Sequence, residues 1–129
     1  MTSHNLQILV VDDDFDSLQV TMQAVQLHSG AVEVIGVHDG EECMDRLRTL
    51  RPHLIVLDLA LPQMDGWQTL ASIRANPILA GIPVVAITAY HSYNVAEDAR
   101  KAGFDAYFPK PLNVSTFMNN LEQIISSHS

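Results

Sequence analysis

The stretch Leu54-Ile55-Val56-Leu57-Asp58-Leu59-Ala60-Leu61-Pro62-Gln63-Met64-Asp65-Gly66 decides the fold. Its first four residues are an uninterrupted apolar run, the pattern of a strand buried on both faces of a parallel sheet. The run ends in an acid. Because Leu59 to Pro62 is a loop rather than a helix start, helix capping does not explain Asp58. Working outward, the same design recurs. Gln7-Ile8-Leu9-Val10-Val11 runs into Asp12-Asp13-Asp14, Pro83-Val84-Val85-Ala86-Ile87 delivers Thr88, and Ala106-Tyr107-Phe108 leads to Lys110 and Pro111.

Helical patterns lie between these runs. Predicted strands are about 7–11, 31–37, 54–57, 83–88 and 106–109. The first helix, 15–28, carries Leu18, Met22 and Val25 on one face. The second follows Asp39-Gly40 with Cys43, Leu47 and Leu50, and the third runs from Gly66 to Asn76-Pro77 with Trp67, Leu70 and Ile73. The fourth, 93–102, has a thin stripe of Val95, Ala96 and Ala99 capped by Gly103. The fifth starts after Asn113 as N-cap and carries Phe117, Leu121, Ile124 and Ile125. Alternating strands and helices imply an α/β, doubly wound, five-stranded parallel sheet with helices on both faces. Right-handed crossovers restrict the strand order, and 2-1-3-4-5 is the flavodoxin-like solution. Pro109 agrees, since proline cannot donate to a ladder and belongs on an edge strand.

Composition sets the outer limits. The 129 residues read as a single domain, 1–129, and 47% hydrophobic against 17% charged residues excludes a mainly disordered chain. No apolar run approaches the roughly 20 residues of a membrane span. The first residues lack the basic and apolar regions of a secretory signal. One cysteine, Cys43, excludes an internal disulfide and fits a reducing cytoplasm; its helical spacing with Leu47 and Leu50 marks it as core. A net charge of −8 disfavours direct nucleic-acid binding, which needs a basic face. Arg46, Arg48 and Arg51 read as a solvated helix end, and the six scattered histidines as surface residues rather than metal ligands.

In a parallel sheet the carboxyl ends of the strands share one edge, where ligands bind. Asp12, Asp13 and Asp58 should meet there, and clustered carboxylates stay ionised only with a cation among them. Oxygen ligands select a hard ion, and few carboxylates beside an expected phosphate favour Mg2+, or Mn2+ in its place, over Ca2+. A carboxylate is also a nucleophile that forms an acyl phosphate. Thr88, Lys110 and the backbone N–H of Ala89 can hold phosphoryl oxygens. Taken singly, Asp14 or Asp16 could be a helix cap, Thr88 a satisfied strand-end hydroxyl and Lys110 a solvated cation. Their joint placement at four strand ends carries the argument.

The segments VVDD (10–13), LDLALPQMDG (57–66), ITAY (87–90) and FPKP (108–111) resemble the receiver domain of two-component response regulators, from Gln7 to about Ile125. The resemblance implies that Asp58 accepts phosphate from a histidine kinase or histidine phosphotransfer protein. It implies that Asp13, Asp58 and the carbonyl of Ala60 bind Mg2+ while Asp12 orients metal-bound waters, and that Thr88 and Lys110 hold phosphoryl oxygens. Tyr107 would be a switch aromatic, and Lys110–Pro111 a cis peptide. The face of helix four, strand five and helix five would repack to bind a downstream protein, the first helix would contribute to kinase docking, and the protein would be a monomer or a weak phosphorylation-linked dimer. With no effector domain after helix five, a stand-alone receiver is expected, not a turnover enzyme. Ala60 and Tyr90 stand at positions that tune phosphoryl lifetime in this family, and neither can hold an attacking water, so slow self-dephosphorylation is expected. His53 replaces an acid common before the third strand.

Two other classes compete. A haloacid-dehalogenase-like phosphatase also uses an Asp nucleophile, Mg2+, Thr and Lys, and Asp12-x-Asp14 mimics its first motif, but Asp16 stands where a small hydroxyl residue belongs. A binding module such as a degenerate receiver or a flavin carrier would have lost an acid, or would carry a Gly/Ser/Thr-rich loop after the first strand.

Overall fold

In the computed structural model, which describes residues 6–28 and 32–127, elements alternate along the chain as β1 (Leu6–Val11), α1 (Phe15–His28), β2 (Val32–Val37), α2 (Gly40–Arg46), β3 (Leu54–Asp58), α3 (Gly66–Ala75), β4 (Val84–Thr88), α4 (Tyr93–Ala102), β5 (Ala106–Pro109) and α5 (Val114–Ser127). All strand pairs are parallel, in the order β2-β1-β3-β4-β5. The predicted order is therefore observed, and Pro109 lies on an edge strand.

Strand alternation builds two cores. Leu9, Val11, Ile55, Leu57, Val84 and Ala86 face α2, α3 and α4, packing on Cys43, Leu47, Leu70, Ile73, Ala99 and Phe104. Ile8, Val10, Leu54, Val56, Val85 and Ile87 face α1 and α5, packing on Leu18, Val25, Phe117, Met118 and Leu121. The two sets interleave residue by residue, the period-2 signature of a sheet covered on both sides. β3 and β4 are buried along their whole length, which explains their unbroken apolar sequence.

Helix starts follow the capping residues. Asp14 Oδ1 accepts from the Ser17 N–H at 3.0 Å, so Asp14 rather than Asp16 caps α1. Asp65 and Gln68 form a reciprocal capping box on α3, and Asn113 Oδ1 accepts from Thr116 N–H at the start of α5. Gly103 ends α4 in the left-handed region at φ 110°.

One boundary differs from expectation. The spacing of Cys43, Leu47 and Leu50 predicts a helix through Leu50, but α2 stops at Arg46 with Leu47 as its C-cap. The chain tightens through bonds from Arg48 N–H to Asp45 O and Thr49 N–H to Arg46 O, then turns toward Pro52 and re-enters the sheet. Leu50 still packs on the core from outside the helix. Arg51 is not merely solvated: its Nη1 donates to the carbonyls of Leu47 and Leu50 at 2.6 and 2.9 Å, satisfying the frayed end.

Candidate functional site

Asp58 and Thr88 are the last residues of β3 and β4, Asp12 follows β1 directly, and Lys110 follows β5. Pairing of the strands fixes their relative heights. Asp12 N–H donates to Val37 O at 3.1 Å and Lys110 N–H to Thr88 O at 2.8 Å, so each is held by a backbone bond to the neighbouring strand.

The predicted acids converge. Carboxylate oxygens of Asp12, Asp13 and Asp58 all lie within 4.8 Å of one another; Asp12 and Asp58 are buried and Asp13 is exposed. Lys110 Nζ bridges the two buried acids, at 2.8 Å from Asp12 Oδ2 and 2.8 Å from Asp58 Oδ2. Asp58 Oδ1 accepts from Ala60 N–H at 2.9 Å, and Asp12 Oδ1 accepts from Asp14 N–H at 3.0 Å. A cavity of about 250 Å³ opens over this cluster, lined by Asp13, Asp14, Asp58, Ala60, Ala89, Tyr90 and Lys110. Thr88 is buried, and its Oγ1 accepts from Tyr90 N–H at 3.1 Å.

The electrostatics are those of too much negative charge in one place. Burial raises the Asp58 pKa above the usual carboxylate range, against the opposing pull of the Lys110 hydrogen bond and the Ala60 N–H, and the nearby Asp12 charge adds to the rise. Burial works against the Lys110 ammonium, but its bonds to Asp12 and Asp58 prevail and raise its pKa. One ammonium faces three carboxylates. An all-oxygen donor set with excess negative charge, open on the Asp13 side, fits a hard divalent cation such as Mg2+.

Three contributors escape a reading of sequence alone. Ser17, one turn into α1, donates its hydroxyl to Asp12 Oδ2 at 2.6 Å, giving the fully buried carboxylate a third donor; the signal was a hydroxyl one helical turn beyond the Asp14 cap. Gly66 lets α3 start against the site strand: its N–H donates to Leu59 O at 3.1 Å, and a Cβ there would lie 2.4 Å from Asp58 O. His53 Nδ1 accepts from Gln7 N–H at 3.1 Å while His53 N–H donates to Gln7 O at 2.8 Å, so the imidazole extends the β1–β3 ladder as a carboxylate there could. The Lys110–Pro111 peptide is cis. Tyr107 is half-buried on β5, its hydroxyl 2.8 Å from His91 Nδ1.

A parallel 2-1-3-4-5 sandwich with three acids, a threonine and a lysine gathered at one sheet edge is the architecture of a receiver domain. Residues 8–122 match the response regulator receiver domain family, and the chain belongs to it. It is 35% identical over 131 residues to the transcriptional regulatory protein ZraR of Escherichia coli K12, all of this chain but only 29% of ZraR; it thus spans under a third of that curated relative. It is 27% identical over 118 residues to the polar-differentiation response regulator DivK of Brucella anthropi, covering 92% of this chain and 94% of DivK. Among solved structures, the phosphorylated cyanobacterial phytochrome response regulator RcpA superposes with a TM-score of 0.79 at 30% identity, covering 94% of this chain and 91% of that one. Family membership leaves the phosphatase and flavin-carrier readings without support. The family is a phosphoacceptor signalling module rather than a metabolic enzyme class. Among the described residues no helix is long and apolar enough to cross a membrane.

Proposed function

We propose that residues 1–129 act as one phosphoacceptor receiver domain in which Asp58 takes a phosphoryl group from a phosphohistidine of a histidine kinase or histidine phosphotransfer protein. The observation that carries this reading is the Asp58 carboxylate itself. It is buried at a strand end, bonded to Lys110 Nζ at 2.8 Å, and has a second and third acid within reach.

In the transfer, an Asp58 carboxylate oxygen attacks phosphorus and the P–N bond breaks. The electron pair returns to the imidazole nitrogen, leaving an acyl phosphate on Asp58. Mg2+, held by Asp13, Asp58 and the Ala60 carbonyl with Asp12 orienting its waters, would neutralise charge on the phosphoryl oxygens. Lys110 already sits between Asp12 and Asp58, and follows the developing negative charge with little motion. Thr88, whose Oγ1 accepts from Tyr90 N–H, donates its hydroxyl hydrogen to a phosphoryl oxygen, and the Ala89 N–H supplies another donor at the cavity wall. Moving Thr88 displaces the β4–α4 connection, which alters the face of α4, β5 and α5 that a downstream protein reads. α1 and the groove lined by Ser17, Val20, Lys110 and Leu112 would receive the phosphodonor. The phosphorylated chain is a monomer or a weak dimer, in the cytoplasm.

Intact mass after incubation with acetyl phosphate, with and without Mg2+ and alongside Asp58→Asn, tests the proposal. One phosphoryl increment that requires Mg2+ and disappears in the variant is the expected result. No increment in the unaltered protein, together with no beryllofluoride adduct, would overturn it.

A further inference from the structure

The segment joining Thr88 to α4 is tied down twice. At its start, Thr88 Oγ1 accepts from Tyr90 N–H at 3.1 Å. At its far end it grips the side chain of Tyr107 on β5. His91 Nδ1 lies 2.8 Å from the Tyr107 hydroxyl, and the two rings stack with centroids 5.6 Å apart at 28°. Ser92 is the next residue along the segment. Ser92 is also the N-cap of α4, its Oγ accepting from Val95 N–H at 3.1 Å. The bond and the stack therefore join a strand to the loop that leads directly into the first turn of a helix.

The position of this clasp matters because the same short segment must serve the acid cavity. Ala89 and Tyr90 line that cavity, two residues and one residue before His91. A phosphoryl group on Asp58 draws Thr88 and the Ala89 N–H toward itself. Residues 91 and 92 follow through the backbone, and the bond and stack to Tyr107 oppose the movement.

We propose that His91 is a positioning residue that latches Tyr107 to the β4–α4 segment in the unphosphorylated protein, so that its release is part of the cost of occupying Asp58. The inference rests on the phosphoacceptor reading above and adds its regulation. His91 is exposed and does not line the acid cavity, so it acts there through the clasp. His91→Ala removes the hydrogen bond and the stack, and His91→Phe removes the bond while keeping an aromatic ring over Tyr107.

The test is a beryllofluoride titration at fixed Mg2+ concentration, followed through backbone amide resonances, on the unaltered protein and both variants. With the latch removed, the concentration for half-saturation should fall about five-fold in His91→Ala, the size of one net hydrogen bond. His91→Phe should lie between His91→Ala and the unaltered protein. A half-saturation point unchanged or raised in His91→Ala would overturn the latch, because a role confined to holding the fold would leave it there. Absence of any adduct in the unaltered protein would instead remove the phosphoacceptor reading, and the latch with it.

Discussion

Lys110→Met keeps the length and apolar stem of the side chain and deletes its charge. In the folded protein Nζ sits 2.8 Å from each of two carboxylates whose side chains are 0% and 6% exposed, while the lysine itself is 16% exposed. Breaking a pair this deep costs about 3–5 kcal/mol, because the partner charges stay buried without compensation. The upper end is not reached: Asp58 already holds a proton more tightly than an ordinary carboxylate and can take one up once the ammonium is gone. We expect a loss of about 3 kcal/mol, measured by urea unfolding at neutral pH with a chelator present. A divalent cation should then replace the missing charge. Mg2+ at 10 mM (about the upper end of what is convenient) should stabilise the variant more than the unaltered protein, through preferential binding to the folded state. A loss below about 1 kcal/mol, or a gap between the two proteins that Mg2+ does not narrow, would refute a charge-compensation role for Lys110.

Four further outcomes are expected. Gly66→Ala should cost about 2 kcal/mol in chemical denaturation, since its Cβ would meet Asp58 O at 2.4 Å and Leu59 Cα at 2.7 Å, both immobile backbone; a gain of about 1 kcal/mol, as helix propensity alone gives, would contradict the close approach. Burial, with the Asp39 charge added, pushes the Cys43 thiol up to about 12, so its contribution to stability is complete below pH 9 and falls by about 1.4 kcal/mol per unit between pH 9 and 12; pH-dependent unfolding of Cys43→Ala should lack that slope. Arg74→Met should lose about 2 kcal/mol, because its guanidinium holds the carbonyls of Ala80, Ile82 and Gly103 and the Asp105 carboxylate, and an unchanged denaturation midpoint would show those bonds to be worth nothing. Combining Ala60→Asn with Tyr90→Glu should shorten the phosphoryl half-life at least about ten-fold by placing polar groups around an attacking water at the cavity wall; a half-life that barely moves would sink that account of its length.

The residues legible in advance were those whose environment is set by one strand. Asp58 and Thr88 end fully buried runs, so their burial and their shared edge followed from the apolar pattern once the strands were parallel. Lys110 and Asp12 followed from the same rule, although nothing in the sequence says that one ammonium would bridge two acids. Contacts that depend on how a helix is rotated or how close two elements come were not legible. Ser17 reaches Asp12 only because α1 starts at Phe15, and the need for glycine at position 66 arises from the distance between α3 and the β3 backbone. The role of His53 is hidden in the sequence, which shows the residue type but not the backbone N–H that the imidazole satisfies. Helical periodicity overruns the end of α2 because Leu50 keeps helical spacing while packing from beyond the helix, so the pattern carries burial but not backbone shape. The His91–Tyr107 pair joins side chains 16 positions apart and leaves no periodic trace.

Lys110 reaches back 98 positions to Asp12 and 52 to Asp58. The ammonium is carried just past the last strand, on the outer edge of the sheet, while the buried acids sit at the ends of the interior strands β1 and β3. During synthesis, a chain lengthening on the ribosome holds its acids long before the cation that answers them, and until β5 docks the cluster is uncompensated. A chain that ends before residue 110 would hold its acids without the ammonium that bridges them.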